Sequence, residues 1–230
     1  MQATKQFLSI CYENENDVLH TKTITDTILA EYTFSVSING VFFQDFHCIP
    51  DSLDALVIGH LYTSGIISRL EDILSYSINK EEGFGDFTIV KSPRDLQPLK
   101  EIPIVPQDIL PMSNTLLTSS KTFQKTGNVH SVMLCEGTNI LAFGEDVDRY
   151  NAFDKTIGKG LMGHVDFSKT SIYTTGRIPS QIAKRAIFAG IPMLISRSAP
   201  TDLSLALAEK YNLSIIGFAR GTRMNVYHPL

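Results

Sequence analysis

Three segments near the end of the chain place the same side-chain types just after apolar runs: Thr175-Gly176-Arg177-Ile178-Pro179-Ser180, Ser196-Arg197-Ser198-Ala199-Pro200-Thr201 and Phe218-Ala219-Arg220-Gly221-Thr222-Arg223. Arginine offers a planar, permanently charged fork that matches phosphate oxygens, and Ser or Thr at a helix start adds a hydroxyl to the partial positive charge of the helix end. Any one segment also reads as a plain helix cap beside a surface arginine. Three loops converging describe a site for a nucleotide or pyrophosphate. A second dense segment, Gly144 to Gly158, holds Glu145, Asp146, Asp148, Arg149, Asp154 and Lys155. Its carboxylates suit acid/base work, and equally a salt-bridged helix start capped by Asp148 or Asn151 and running through Lys155. A third cluster joins Phe123 and Thr126-Gly127-Asn128 to His130. Gly127 permits a tight turn, and His130 reads either as a donor to a ligand or as a structural side chain. The three cysteines, Cys11, Cys48 and Cys135, lie far apart without a CxxC pair. They make neither a disulfide framework nor a zinc knuckle, and Cys135, beside an expected hairpin turn, reads as an ordinary packed thiol.

The elements that must position these groups follow from periodicity. Short apolar strands at Ser171 to Thr175, Ile191 to Ser196 and Leu213 to Phe218 alternate with helices from about Ser180 to Ala189 and from Thr201 to Tyr211. That order is βαβαβ with a parallel sheet and right-handed crossovers, and ligands bind such sheets beyond the carboxyl ends of the strands. The arginine segments fall at those ends. Upstream, a helix is expected from Ser113 to Lys125, and a hairpin from His130 to Cys135 and Ile140 to Phe143. Near the start, alternating Phe34, Val36 and Ile38 before Asn39-Gly40 predict another hairpin, and Pro50-Asp51-Ser52 predicts a helix start closed at Gly65. The proline-dense stretch from about residue 91 to Pro111 reads as a linker. It divides the chain into an N-terminal α+β lobe, residues 1–111, and a ligand-binding α/β domain, residues 112–230.

With 230 residues and 43% hydrophobic content the chain can bury a full core without covalent staples. A formal charge of −4 leaves no electrostatic footprint for nucleic acid. There is no secretory leader pattern and no apolar run of membrane-spanning length, so no membrane association and a reducing, cytoplasmic setting are expected.

These residues resemble the formate dehydrogenase accessory sulfurtransferase family, FdhD. The resemblance is carried by Phe123, Thr126-Gly127 and His130, then Glu145-Asp146-Val147, Arg149, Asn151-Ala152, Asp154-Lys155 and Ile157-Gly158. It continues through Gly176-Arg177, Gly190-Ile191-Pro192, Ser196 to Thr201 and Gly217-Phe218-Ala219-Arg220 to Tyr227, with a weaker echo at Ile38-Asn39-Gly40, Pro50-Asp51 and Gly59 to Ile67. It implies an α/β fold, a cytidine-deaminase-like three-layer α/β/α core with a smaller N-terminal α+β lobe, in a homodimer. It implies sulfur received as a persulfide from a cysteine desulfurase and passed to the molybdenum bis(molybdopterin guanine dinucleotide) cofactor of formate dehydrogenase, with GDP-like nucleotides as mimics. The cofactor-binding residues it implies are Phe218, Ala219, Arg220, Gly221, Thr222 and Arg223, with Ser196, Arg197, Ser198, Thr201, Gly176, Arg177, Thr126, Gly127, His130, Glu145, Asp146 and Arg149 around them. No metal ligands are expected, and the H-x-E and P-C-x-x-C pattern of zinc deaminases is absent.

The chain departs from the family pattern at Ser64, Asn128, Asp148 and Tyr150, where glutamate, glycine, glycine and histidine are usual. A larger departure is chemical. The family's cysteine loop is expected near Val90 to Ser92, yet Phe87-Thr88-Ile89-Val90 runs directly into Lys91-Ser92-Pro93. Either a mobile loop is missing from a closed-up numbering, or the loop is deleted and the chain is a cofactor-binding chaperone without sulfur transfer; no catalytic cysteine is assigned.

Overall fold

The computed structural model describes residues 4–228. Strands β1 (Thr4–Glu15) and β2 (Val18–Leu29) form a long antiparallel hairpin that sequence periodicity did not reveal. Its turn is Asn16-Asp17, both at positive φ, a conformation these two residue types tolerate. A four-stranded sheet follows, from β3 (Tyr32–Ile38), β4 (Val41–Cys48), β5 (Ile73–Asn79) and β6 (Phe84–Ile89), in the order β4-β3-β6-β5. The expected β3–β4 hairpin is present, turning at Asn39 and Gly40 with φ of 53° and 75°. Helix α1 (Leu53–Thr63) lies between β4 and β5. Ser52 precedes it, but at φ 47° its hydroxyl makes no capping bond.

The second half contains α2 (Pro106–Ser119), α3 (Lys121–Thr126), β7 (His130–Glu136), β8 (Asn139–Asp146), α4 (Arg149–Met162), β9 (Ser171–Thr174), α5 (Ser180–Ala189), β10 (Met193–Ser196), α6 (Asp202–Tyr211), β11 (Ser214–Arg220) and β12 (Arg223–His228). One six-stranded sheet runs β12-β11-β10-β9-β7-β8. Strands β9, β10 and β11 are parallel, as the alternating pattern requires, and β7, β8 and β12 are antiparallel to their neighbours. Helix α2 covers one face through Ile109, Met112 and Leu116. Helices α4, α5 and α6 cover the other, giving three layers. The single helix expected from Ser113 to Lys125 is instead two. Pro106 starts the first, where its missing N–H is harmless, and Ser120 breaks the run by capping Phe123 N–H with its own hydroxyl. The domain boundary placed at residue 111 therefore falls inside α2, and the irregular connection ends at Val105.

The two halves share one core. Phe34, Leu56 and Leu61 from the first part pack in the same cluster as Phe153, Ile157 and Ile187 from the second. Helix α1 crosses α4 at glycines: a Cβ on Gly59 would lie 1.8 Å from the Asp154 carbonyl oxygen, and one on Gly158 would lie 1.9 Å from that of Ala55. Backbone meets backbone there, and no side chain fits between. Gly158→Ala should force the helices apart and lower unfolding stability by about 3 kcal/mol or more, measured by urea denaturation. Unchanged stability would show that the crossing tolerates separation.

Candidate functional site

Because β9, β10 and β11 are parallel, their carboxyl ends emerge along one edge of the sheet, beside the start of β7 and the end of β8. A cavity of about 390 Å³ opens there, lined by Gly127, His130, Thr175, Arg197, Ser198 and Arg220 among others. The structure thus gathers residues from all three arginine segments' neighbourhoods and from the Gly127–His130 cluster. Arg197 Nη1 donates to the Ser113 carbonyl at 3.1 Å, to Ser113 Oγ at 3.3 Å and to Asn114 Oδ1 at 3.3 Å. These acceptors are neutral. Burial and the neighbouring Arg220 both lower the Arg197 pKa. Among the described residues, no carboxylate lies within 4 Å of Arg149, Arg177, Arg197, Arg220 or Arg223.

The loops are tied to one another by hydroxyls. Ser196 is buried, donates to the Gly176 carbonyl at 2.6 Å and accepts from Ser198 N–H at 2.8 Å. Ser198 Oγ donates to the Thr175 carbonyl at 3.2 Å. Phe218, a non-glycine residue at φ 52°, donates its N–H to the Ser198 carbonyl, and its ring lies 5.8 Å from the guanidinium carbons of both Arg220 and Arg223. A left-handed phenylalanine is costly, and such conformations concentrate at sites that need them. Ala219 is buried, with its carbonyl accepting from Ser113 Oγ at 2.5 Å, and Gly221 and Thr222 make the turn into β12. That strand follows after only two residues and was not anticipated.

Other sequence-selected residues do different jobs. Thr201 caps α6 by accepting from Ser204 N–H, and Thr126 accepts from Asn128 N–H just before Gly127 closes α3 in a left-handed conformation. Burial, then Arg149 and Arg177, lower the His130 pKa, so the imidazole resists protonation. Arg149 lies 4.7 Å from the Tyr150 ring centroid. Glu145 and Asp146 point to opposite faces, as neighbours in a strand must. Glu145 accepts from Ser120 Oγ and, at 3.3 Å, from Ser131 Oγ. Asp146 is wholly buried, 2.8 Å from Lys155 Nζ, and accepts from Ile49 N–H at 3.1 Å. The two form no acid/base pair. Asp148 caps α4 through Tyr150 N–H at 2.6 Å, the expected helix start, and the ion pair within the segment is Lys155 with Asp146. Ser113 and Asn114, which hold Arg197, had no chemical signal in the sequence beyond polarity.

Cys48 and Cys135 are fully buried, and burial pushes both thiols up to about 12. Cys11, on β1, keeps partial exposure. Val90, Lys91 and Ser92 form a continuous strap: Val90 N–H donates to the Asp72 carbonyl at 2.8 Å, Ser92 N–H to the Ile66 carbonyl at 3.1 Å, and Ser92 Oγ to the Asp72 carboxylate. The described chain passes from β6 into this strap without a cysteine.

Comparison with known proteins places these observations. The FdhD/NarQ family model matches residues 29–100 and 87–229, two segments that meet at the strap. A sulfur carrier protein FdhD from Bacillus licheniformis is 32% identical over 231 residues, covering 88% of each chain. One from Bacillus subtilis is 31% identical over 236 residues, covering 90% of each. A crystal structure from Desulfotalea psychrophila, provisionally named a formate dehydrogenase accessory protein, matches with a TM-score of 0.82 at 24% identity over 96% of each chain.

The charged latch behind the cavity makes a direct prediction. Lys155 also reaches Asp51 at 2.7 Å and the Ile49 carbonyl at 3.0 Å. Burial opposes its charge, but Asp146 and Asp51 outweigh burial and keep its pKa above the ordinary lysine value. Lys155→Met would strand the Asp146 carboxylate, costing about 3–5 kcal/mol in chemical unfolding; a loss below about 1 kcal/mol would show that the pair is replaceable.

Proposed function

Because the chain belongs to the FdhD/NarQ family, we propose that it is an accessory protein of formate dehydrogenase that works in sulfur delivery, with the arginine cavity as its ligand site. The observation that carries the ligand reading is the Arg197 and Arg220 pair, two like charges kept in one cavity with neutral partners only. An anionic ligand repays the cost of holding them together. The finer reading assigns that ligand as the molybdenum bis(molybdopterin guanine dinucleotide) cofactor, whose pyrophosphates suit the arginines and hydroxyls. Phe218, flanked by Arg220 and Arg223, supplies an aromatic face for a base.

In this reading a cysteine desulfurase supplies sulfur as a persulfide and formate dehydrogenase receives it. A carrier needs a reachable thiol, and Cys11 is the one among the three that is not fully buried. The β1–β2 hairpin also supports the homodimer. Leu8, Ile10 and Tyr12 share one face of it and are 78%, 61% and 63% exposed, and an isolated two-stranded hairpin is marginal until something covers it. Unpaired thiols fit a reducing cytoplasm, and no helix among the described residues is long and apolar enough to cross a membrane.

Two measurements test the proposal. Calorimetric titration with GDP should give a Kd about tenfold or more weaker for Arg197→Ala and for Arg220→Ala, each of which removes a charge-assisted contact. Equal affinity in both variants would refute the cavity as the ligand site. After incubation with a cysteine desulfurase and cysteine, the intact protein should gain the mass of a sulfur atom, and Cys11→Ser should not. No gain in the wild type would leave ligand hand-over without sulfur transfer as the activity.

A further inference from the structure

We infer that the open edge of β4 is a docking groove for an extended segment of a partner protein, which pairs with β4 as an added strand and carries an acidic residue beside an apolar one. The inference does not rest on the arginine cavity.

Strand β4 stands at one end of the four-stranded sheet, paired with β3 alone. An edge strand offers a row of N–H and carbonyl groups to any chain that can lie alongside, unless something covers it. Among the described residues, no backbone group from Val41 to Phe46 bonds to anything but β3. Cover begins at His47, whose carbonyl accepts from Asn151 Nδ2 at 2.8 Å. Phe43 is the extra residue of a bulge, since Gln44 lies opposite Val36 and Phe42 opposite Ser37. A bulge re-aims a side chain, and here Phe43 lines a cavity.

Two cavities follow this edge. One of about 690 Å³ is lined by Val41, Phe42 and Phe43 of β4, with Ser64, Gly65 and Arg94 across from them. The next, about 510 Å³, is lined by Gln44, Asp45, Phe46 and His47 of β4, with His60 and Arg185. Every residue from Val41 to His47 therefore lines one or the other. The His60 ring joins them, 5.8 Å from the Phe43 ring and 5.3 Å from the Phe46 ring. The result is one groove between β4 and the C-terminal end of α1. In strand addition the main chain supplies affinity and the flanking pockets read side chains.

The chemistry of the groove says what fits. Val41 and Phe42 are 69% and 63% exposed, and with Ile38 and Ile66 they make the larger cavity apolar. Lys91 and Arg94 line that cavity too, no carboxylate does, and among the described residues none lies within 4 Å of either cation. Arg94 is held in place by neutral groups: Nη2 donates to the Tyr62 carbonyl at 2.7 Å, and the guanidinium lies 4.1 Å from the Tyr62 ring centroid. Its Nε is buried without an acceptor, a cost that an incoming carboxylate beside the guanidinium offsets. In the smaller cavity the acids are engaged, Asp148 in capping α4 and Asp45 with Ser35 Oγ at 2.6 Å. A small apolar acid would fill the larger cavity and leave the β4 edge and the second cavity unused. An extended acidic and apolar peptide uses all three.

Panning a library of random peptides about ten residues long against the whole protein tests this, because that length covers a strand. Enriched peptides should alternate apolar residues and carry Asp or Glu at one end. The tightest of them, labelled and followed by fluorescence polarisation, should bind Phe42→Ser and Lys91→Glu with a Kd about tenfold or more weaker. Both positions are exposed, so the fold tolerates either change. N-methylating one alternate set of the peptide's amides should cost about tenfold and the other set far less, because only one set faces β4. Amide exchange from Val41 to Phe46 should slow when the peptide binds. No enriched peptide, unchanged affinity in both variants, or the same effect from both methylated sets would overturn the inference.

Discussion

A single buried ammonium holds the molecule in register. Lys155 is fully enclosed, and its Nζ joins Asp146 at the end of β8 to Asp51 and the Ile49 carbonyl, which precede α1. Asp146 in turn accepts from Ile49 N–H, and Asn151 donates to the His47 carbonyl at 2.8 Å. These contacts fix where the chain leaves the small sheet relative to the arginine edge of the large one. Once that junction is set, α1 can cross α4 only through the glycine contact, because side chains there would collide. Buried ion pairs earn little net stability on their own. Here the pair specifies a geometry, and the apolar cluster on both sides supplies the free energy.

The arginine edge follows the opposite rule. At the junction each charge has a partner. Along the carboxyl ends of β9, β10 and β11 the arginines have neutral acceptors or aromatic faces instead: Ser113 and Asn114 for Arg197, Tyr150 for Arg149, Phe218 for Arg220 and Arg223. Such partners orient a guanidinium without cancelling its charge. A chain with net charge −4 gains local positive potential where its own carboxylates are absent or paired, and Asp146, paired with Lys155, is one such carboxylate.

How much of this was legible in the sequence depended on range. The β9 to β11 order and the arginine edge could be read because strand, turn and helix starts are local, and the crossover rule fixes which ends coincide. The roles of Glu145 and Asp146 could not, because adjacent strand residues face opposite ways and their partners, Ser120 and Lys155, come from other elements. The β1–β2 hairpin was hidden by composition: its outward face alternates apolar residues on β1 with threonines on β2, a pattern without the contrast of a half-buried strand. The split between α2 and α3 turned on one serine choosing to cap a following turn, a local competition that helix periodicity does not register.

The strap at Val90 to Ser92 bears on how sulfur is handled. Asp72 accepts from Ser68 N–H at 2.9 Å, from Arg69 N–H at 3.1 Å and from Ser92 Oγ. Although burial acts to raise its pKa, these hydrogen bonds win and hold it below the ordinary carboxylate range. A group depressed in this way contributes stability above its unfolded value, near 3.9, and loses it only as the pH falls through the folded value, so the strap stays clipped at neutral pH. The strap carries no cysteine. The arginines without carboxylate partners stand at the edge of the six-stranded sheet, while Cys11, partly exposed, lies on the β1–β2 hairpin, whose Leu8, Ile10 and Tyr12 are exposed.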